Sequence, residues 1–306
     1  MSFALKILGA NSATPAYGRH HTAQVLGTQK HQFLIDCGEG TQERLKLFGI
    51  SPLKIHHAFI SHLHGDHYLG LMGLIYTMHL MGRTQELNVY GQRGLEEIII
   101  TQLRYSDSVL KYDIIFHELE PTEQRLIFED KYIEVHSFPL YHRIPCCGFL
   151  FREKPKSIRL NKEKLPKDIS LTAIGQLKRG EDVTDDHGQV LYSNEDLTLP
   201  PRRSCSYAFC SDTLYNETII PIIKEVDLLY HETTFVKEMK QWAELTNHST
   251  TVEAATIAGQ ANVKKLVIGH YSARYKELDI FLDEAREVFP NTVLAIEGES
   301  ITMDDE

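Results

Sequence analysis

Within seven residues, Ser61-His62-Leu63-His64-Gly65-Asp66-His67, the chain carries three imidazoles and one carboxylate, directly after the apolar stretch Ala58-Phe59-Ile60. Imidazole nitrogen and carboxylate oxygen are zinc ligands, and a catalytic zinc keeps one coordination position open. Side chains alternate faces along a strand, so His62 and His64 aim the same way where the strand ends. Asp66 and His67 are expected on a tight turn opened by Gly65, within reach of a second, neighbouring position. The run therefore reads as half of a two-metal hydrolytic centre. A polar surface loop accounts for any one of these residues but poorly for four ligand types at this spacing.

Two zincs roughly 3.5–4 Å apart need further ligands, one of them a bridging carboxylate. Strand patterns recur downstream, and each ends in a ligand or acid–base group: His142, Asp212, His231 with Glu232, and His270. Functional groups in sheet proteins collect on loops at one end of a rigid scaffold. A lone strand-end histidine is more often structural, and Asp212 alone could be a turn residue. Their recurrence after His62–His67 turns the reading towards ligands, with His142, Asp212 and His270 completing the set.

The elements that must position these residues are legible in outline. Strands are expected at 5–8, 23–26, 32–35, 55–60, 88–90, 132–136, 207–210, 227–230, 265–268 and 292–296. Helices are expected at 42–48, with Thr41 as cap, and at 69–81, 94–109 and 252–261. The 306 residues are 42% hydrophobic, enough for one α/β unit with a full core. Five cysteines, an odd number without a CxxC pair, argue for a reducing compartment and against a cysteine zinc site. No charged leader precedes a long apolar stretch and no segment approaches a membrane span, so a cytoplasmic protein is expected.

The net charge of −10 argues against a generic nucleic-acid coat, but a global sum hides local patches. From Arg152 to Arg179 nine basic residues face three acidic ones, a local charge of +6, followed by Glu181, Asp182, Asp185 and Asp186. The stretch 152–203 interrupts the apolar pattern and lacks a convincing core face, so it reads as an arm projecting from the body.

In these motifs the chain resembles the metallo-β-lactamase superfamily and, within it, the ribonuclease Z family of tRNA 3′-processing endonucleases. The superfamily signature is carried by His62, His64, Asp66 and His67. More specific are Ser211-Asp212-Thr213, His231-Glu232-Thr233-Thr234, His248-Ser249-Thr250 and the run from Gly269 to Tyr275. Leu8-Gly9 with Pro15 and Arg19, and the turn Asp36–Gln42, match as well. The basic insertion falls where the family carries its tRNA-gripping arm.

That resemblance implies a four-layered αββα metallo-β-lactamase sandwich over 1–306, with 152–203 as an inserted arm. It implies two Zn2+ per chain: one held by His62, His64 and His142, the other by Asp66, His67 and His270, with Asp212 bridging. It implies in-line hydrolysis of precursor tRNA, leaving a tRNA 3′-hydroxyl and a trailer 5′-phosphate. Asp66 would orient the attacking hydroxide and take its proton, and His248, oriented by Glu232, would protonate the leaving oxygen. Arg274 and Ser272 would contact phosphate, Lys178 and Arg179 would contribute from the arm, and a homodimer would let one arm serve the other subunit's site. The chain departs from the family at Tyr17 and His20, where many members have lysine and asparagine, and at Leu171-Thr172, where many carry Gly-Pro. Against a thioesterase, lactonase or small-molecule phosphodiesterase stand the basic arm and the pair Glu232 with His248, which acyl hydrolysis on this scaffold does not require, and a non-catalytic RNA-binding protein would not keep all seven ligands.

Overall fold

The computed structural model describes residues 3–303. Two seven-stranded mixed sheets face each other. The first runs Ser300–Thr302, Ala4–Gly9, Ala23–Gly27, Gln32–Cys37, Ile55–Phe59, Leu87–Gln92, Ile114–Leu119 in spatial order, antiparallel up to Gln32–Cys37 and parallel from there. The second runs Thr292–Leu294, Leu266–Gly269, Leu228–Glu232, Ser206–Cys210, Cys146–Glu153, Ile133–Leu140, Arg125–Glu129, parallel through its first four strands.

Strand alternation assigns successive residues to different layers. Phe33 and Phe59 point between the sheets, where Phe59 meets Phe149 and Phe151 at ring-centroid distances of 5.4 and 5.5 Å. Their neighbours Leu34 and Ala58 point outward onto Leu71, Leu74, Ile75 and Ile99 of the helices Gly70–Leu80 and Leu95–Tyr105. On the far side, Thr251–Gln260 and Asp279–Val288 cover the second sheet through Ile257, Ala258 and Phe281. The result is the expected helix–sheet–sheet–helix sandwich. Because both faces of the central strands are covered, their sequences read as near-continuous apolar runs.

Several local expectations change. Thr41 is the first helical residue of Thr41–Leu47, not its cap; Gly40, at φ 81°, takes the cap position, and Thr41 Oγ1 donates to Gly38 O at 2.6 Å. Asp66 and His67 lie on a one-turn helix, Gly65–Tyr68, rather than a tight turn. The helix expected to reach 109 ends at Tyr105, and Pro139 and Leu140 belong to the strand Ile133–Leu140. Gly70 has no room for a side chain, since a Cβ there would sit 2.0 Å from Gly38 O. This close approach seats Gly70–Leu80 against the Cys37–Gly40 turn.

The basic stretch does own a small core, against expectation. Ala173, Leu177, Val183 and Leu197 are buried together with Leu160, Leu165, Ile169 and Tyr192 around them. These positions are spread over the helix Leu171–Lys178, capped by Ser170, the short helix Asn194–Leu197, two short antiparallel ladders and the segments between them, so no local periodicity announces them. Neither ladder joins the large sheets. All five cysteines are buried, and none is joined in a disulfide. Burial pushes the Cys37 thiol up to about 12, so it offers no thiolate. Among the described residues no helix is long and apolar enough to cross a membrane.

Candidate metal centre

The ligand residues follow the strand ends at one edge of the sandwich. His62 and His64 lie beyond Ile55–Phe59, His142 beyond Ile133–Leu140, Asp212 beyond Ser206–Cys210 and His270 beyond Leu266–Gly269. Two donor sets sharing Asp212 stand out, His62, His64, His142 and Asp212, and Asp66, His67 and His270 with the other oxygen of Asp212; a third grouping, Asp212, His248 and His270, overlaps both. In the first, His64 Nδ1 lies 3.0 Å from His62 Nε2 and 3.1 Å from His142 Nε2, with Asp212 Oδ2 at 3.6 and 3.8 Å from those two Nε2 atoms. In the second, His67 Nε2 is 3.5 Å from Asp66 Oδ2 and 3.4 Å from Asp212 Oδ1. His270 Nε2 is 3.4 and 3.2 Å from the same two oxygens.

Zinc bonds of about 2.0–2.1 Å in a tetrahedron put neighbouring donors roughly 3.3–3.4 Å apart. The four distances of the second set, 3.2 to 3.5 Å, straddle that spacing closely, and those of the first, 3.0 to 3.8 Å, bracket it more widely. His67 Nε2 and Asp212 Oδ1 are buried without any hydrogen-bond partner. Unpartnered buried polar atoms are costly, and a cation between these two would satisfy both. The residues fit a metal pair spanned by Asp212.

Four of the five ligand imidazoles, those of His62, His67, His142 and His270, are held from behind, which fixes the nitrogen each turns inward. His67 Nδ1 donates to Asp36 Oδ2 at 2.7 Å, and His142 Nδ1 donates to the Asn247 carbonyl at 2.9 Å. Ser61 Oγ gives its proton to Asp36 Oδ2 (3.0 Å) and so can accept from His62 Nδ1 at 3.1 Å. Thr234 Oγ1 donates to Glu232 Oε2 (2.8 Å) and accepts from His270 Nδ1 at 3.0 Å. Asp66 Oδ2 takes the backbone N–H of Ala13 at 2.8 Å. Asp36 and His270 both hold left-handed backbones, φ 55° and 62°. Strain of this kind collects at functional sites and persists only where the surroundings impose it.

The electrostatics follow from burial and crowding. Burial works against a proton on His67, but Asp212, Asp66 and Asp36 outweigh it and hold that imidazole well above its ordinary range. His62, equally buried and facing His67, is driven well below it. Asp66 and Asp212 remain ionised despite burial because histidines surround them. The set is an acidic, histidine-lined recess suited to a cation.

Glu232 and His248 sit beside it. Glu232 is fully buried; its Oε1 accepts from Ser249 N at 2.8 Å and Thr213 N at 3.2 Å, its Oε2 from Thr234 N at 2.8 Å. His248 Nδ1 lies 3.1 Å from Glu232 Oε1, and its ring is 5.2 Å from His142 and 5.7 Å from His270. Burial would lower His248, but the Glu232 and Asp212 carboxylates outweigh it and raise it to about 9. The pair is a charged, oriented imidazole at the rim of the donor set.

His231, at a strand end like the others, does not join the site. It is buried, and its Nδ1 donates to the Glu232 carbonyl at 2.8 Å. Successive strand residues face opposite ways, so only one of His231 and Glu232 could face the donors. Ser272 follows His270 by two residues, its N–H on Thr234 O, and Arg274 is exposed with its guanidinium over Trp242. Lys178 is exposed at the last helical position of Leu171–Lys178, whereas Arg179 is engaged by both oxygens of Glu181 at 3.0 and 2.8 Å. Sequence reasoning assigned no role to Asp36, Thr234 or the Asn247 carbonyl, although Asp36 and Thr234 fall in quoted motifs.

A sequence-family profile described as anti-Pycsar protein Apyc1 matches residues 3–155, the half that holds six of the seven strands of the first sheet, His62–His67 and His142, but not Asp212, Glu232, His248 or His270. The chain is 48% identical over 305 residues to ribonuclease Z of Cytophaga hutchinsonii, covering 100% of this chain and 97% of that one. It is 42% identical over 304 residues to ribonuclease Z of Bacteroides thetaiotaomicron, covering 99% and 96%. Its fold superposes on the crystal structure of the short form of human tRNase Z with a TM-score of 0.73 at 26% identity, covering 99% of this chain and 100% of that one.

Proposed function

The chain belongs to the ribonuclease Z family of the metallo-β-lactamase superfamily and is a tRNA 3′-processing endonuclease, and we propose that His62, His64, Asp66, His67, His142, Asp212 and His270 hold two zinc ions while Glu232 and His248 serve the leaving group. The observation that supports this most is Asp212, which offers one oxygen to each donor set. Bound there, the ions would lower the pKa of water to about 7 and offset charge developing on the phosphoryl group.

The chain's own residues do the rest. Asp66, oriented by the Ala13 N–H, holds the attacking water and receives its proton. His248, protonated at Nδ1 against Glu232, presents Nε2 to the 3′-oxygen of the nucleotide that becomes the tRNA end. Its transferred proton turns a poor alkoxide leaving group into a hydroxyl. Arg274 and Ser272 would meet the phosphate, and the basic surface of 152–203, Lys178 included, would grip the folded RNA through its backbone. Action in the cytoplasm as a homodimer, one arm serving the partner's site, completes the proposal.

The test is incubation with trailer-bearing precursor tRNA, with and without chelator, followed by mapping of the ends. One cut after the discriminator nucleotide, leaving a 3′-hydroxyl on the tRNA and a 5′-phosphate on the trailer and abolished by chelator, is expected. A cut elsewhere, or one indifferent to chelator, overturns it.

A further inference from the structure

Trp242 is the chain's single tryptophan and stands 43% exposed. It lies on the helix Lys240–Thr246, which ends at Asn247 in a left-handed conformation, φ 56°. The His248 N–H then closes back onto Ala243 O at 2.9 Å, so this helix leads straight into His248. From the other side, the segment carrying His270 continues to Arg274, whose guanidinium carbon lies 5.4 Å from the Trp242 ring centroid. The pair therefore joins the two segments that carry His248 and His270, and neither side chain is needed by the core.

An exposed indole steadied by a guanidinium is a stacking surface for a nucleobase, since every base offers a π-face and arginine adds a cation–π term. Resting on the tRNA-processing reading, we propose that Trp242, backed by Arg274, is the platform on which the unpaired base just upstream of the cut stacks. The side follows from the chemistry. His248 protonates the 3′-oxygen of that upstream nucleotide, so the nucleotide must lie on the His248 side of the centre, and Trp242 is the exposed aromatic on the segment that carries His248. Stacking there would hold the 3′-oxygen towards His248, while Arg274 keeps the ring in place and leaves its outer N–H groups for the adjoining phosphate.

On trailer-bearing precursor tRNA, Trp242→Ala is expected to raise KM about tenfold with kcat nearly held, and Trp242→Phe to keep most of the affinity. A precursor lacking only the base upstream of the cut is expected to cost the native enzyme the same factor and to cost Trp242→Ala nothing further. The emission of the sole tryptophan is expected to fall when mature tRNA ending at the cut is titrated in. Equal losses for Trp242→Ala on intact and abasic precursors would assign the residue to packing and overturn the proposal, as would unchanged KM with unchanged emission. Native enzyme that leaves the intact precursor uncut overturns the tRNA reading itself, whereas cutting that is indifferent to Trp242 overturns only the platform.

Discussion

His248 Nδ1 lies 3.1 Å from Glu232 Oε1, at the edge of a pocket in which that carboxylate is fully buried. A buried carboxylate with backbone N–H groups on both oxygens cannot turn away. It therefore fixes the orientation and the charge of the imidazole together, which is what a proton donor to a poor leaving group requires.

His248→Ala removes the donor without touching any of the seven ligands. Metal content of the purified variant is expected to match the native protein, while kcat on precursor tRNA falls about 10²- to 10⁴-fold. Metal analysis beside single-turnover cleavage checks it. Native turnover in this variant would place the proton donor elsewhere.

The same pair sets the alkaline limb of the pH profile. Burial lowers His248, but Glu232 and Asp212 raise it to about 9. The donor is thus protonated below that value, and activity falls as pH rises through it. Cations on Asp212 would cancel that carboxylate's share and bring the limb down, leaving Glu232 as the support. Glu232→Gln removes this as well, so the descending limb should move towards the ordinary imidazole value of about 6.5. A pH–kcat series for both proteins measures the displacement; a limb that stays put would detach Glu232 from the acid.

Asp36 touches no donor atom facing the recess, yet its Oδ2 accepts from His67 Nδ1 at 2.7 Å and from Ser61 Oγ at 3.0 Å. Asp36→Asn leaves the shape and removes the charge that sharpens both contacts. Affinity for zinc is expected to weaken about 10- to 100-fold, read by chelator competition, with activity restored by added metal. A loss that metal cannot restore would mean that Asp36 supports the fold instead, a prospect its left-handed φ of 55° makes worth separating.

The part of this centre carried by contiguous residues was legible in the sequence, because His62, His64, Asp66 and His67 need only one strand and one turn of chain to meet. His142, Asp212 and His270 were legible because each follows a recognisable strand. Asp36 was not, since it lies inside Gln32–Cys37 and reaches His67 only once the two strands pair. Thr234 was hidden for a similar reason: its single hydroxyl serves Glu232, His248 and His270 from three separate segments. His231 misled because a strand end supplies the right place but only alternate residues face it. The core of 152–203 escaped notice because its apolar residues converge from two helices, two ladders and the segments between them rather than repeating along any one.

Deleting residues 155–200 tests the basic stretch as the RNA grip. The excision is geometrically mild. Glu153 N–H donates to Cys205 O at 2.9 Å, Glu153 Oε2 accepts from Cys205 N–H at 2.9 Å, and Ser204 Oγ donates to Lys154 O at 3.0 Å. The chain therefore leaves and re-enters the body at one point, and a short linker can close the gap. The buried residues lost, Ala173, Leu177, Val183 and Leu197, pack with one another and not with the sandwich. Thermal stability of the body should be little changed. KM for precursor tRNA should rise strongly, and its salt dependence should flatten, because fewer phosphate contacts remain to release counterions. Hydrolysis of a small phosphodiester, which reaches only the strand-end site, should stay near native. Equal losses on both substrates, with a lowered unfolding temperature, would show that the stretch supports the sandwich rather than the substrate.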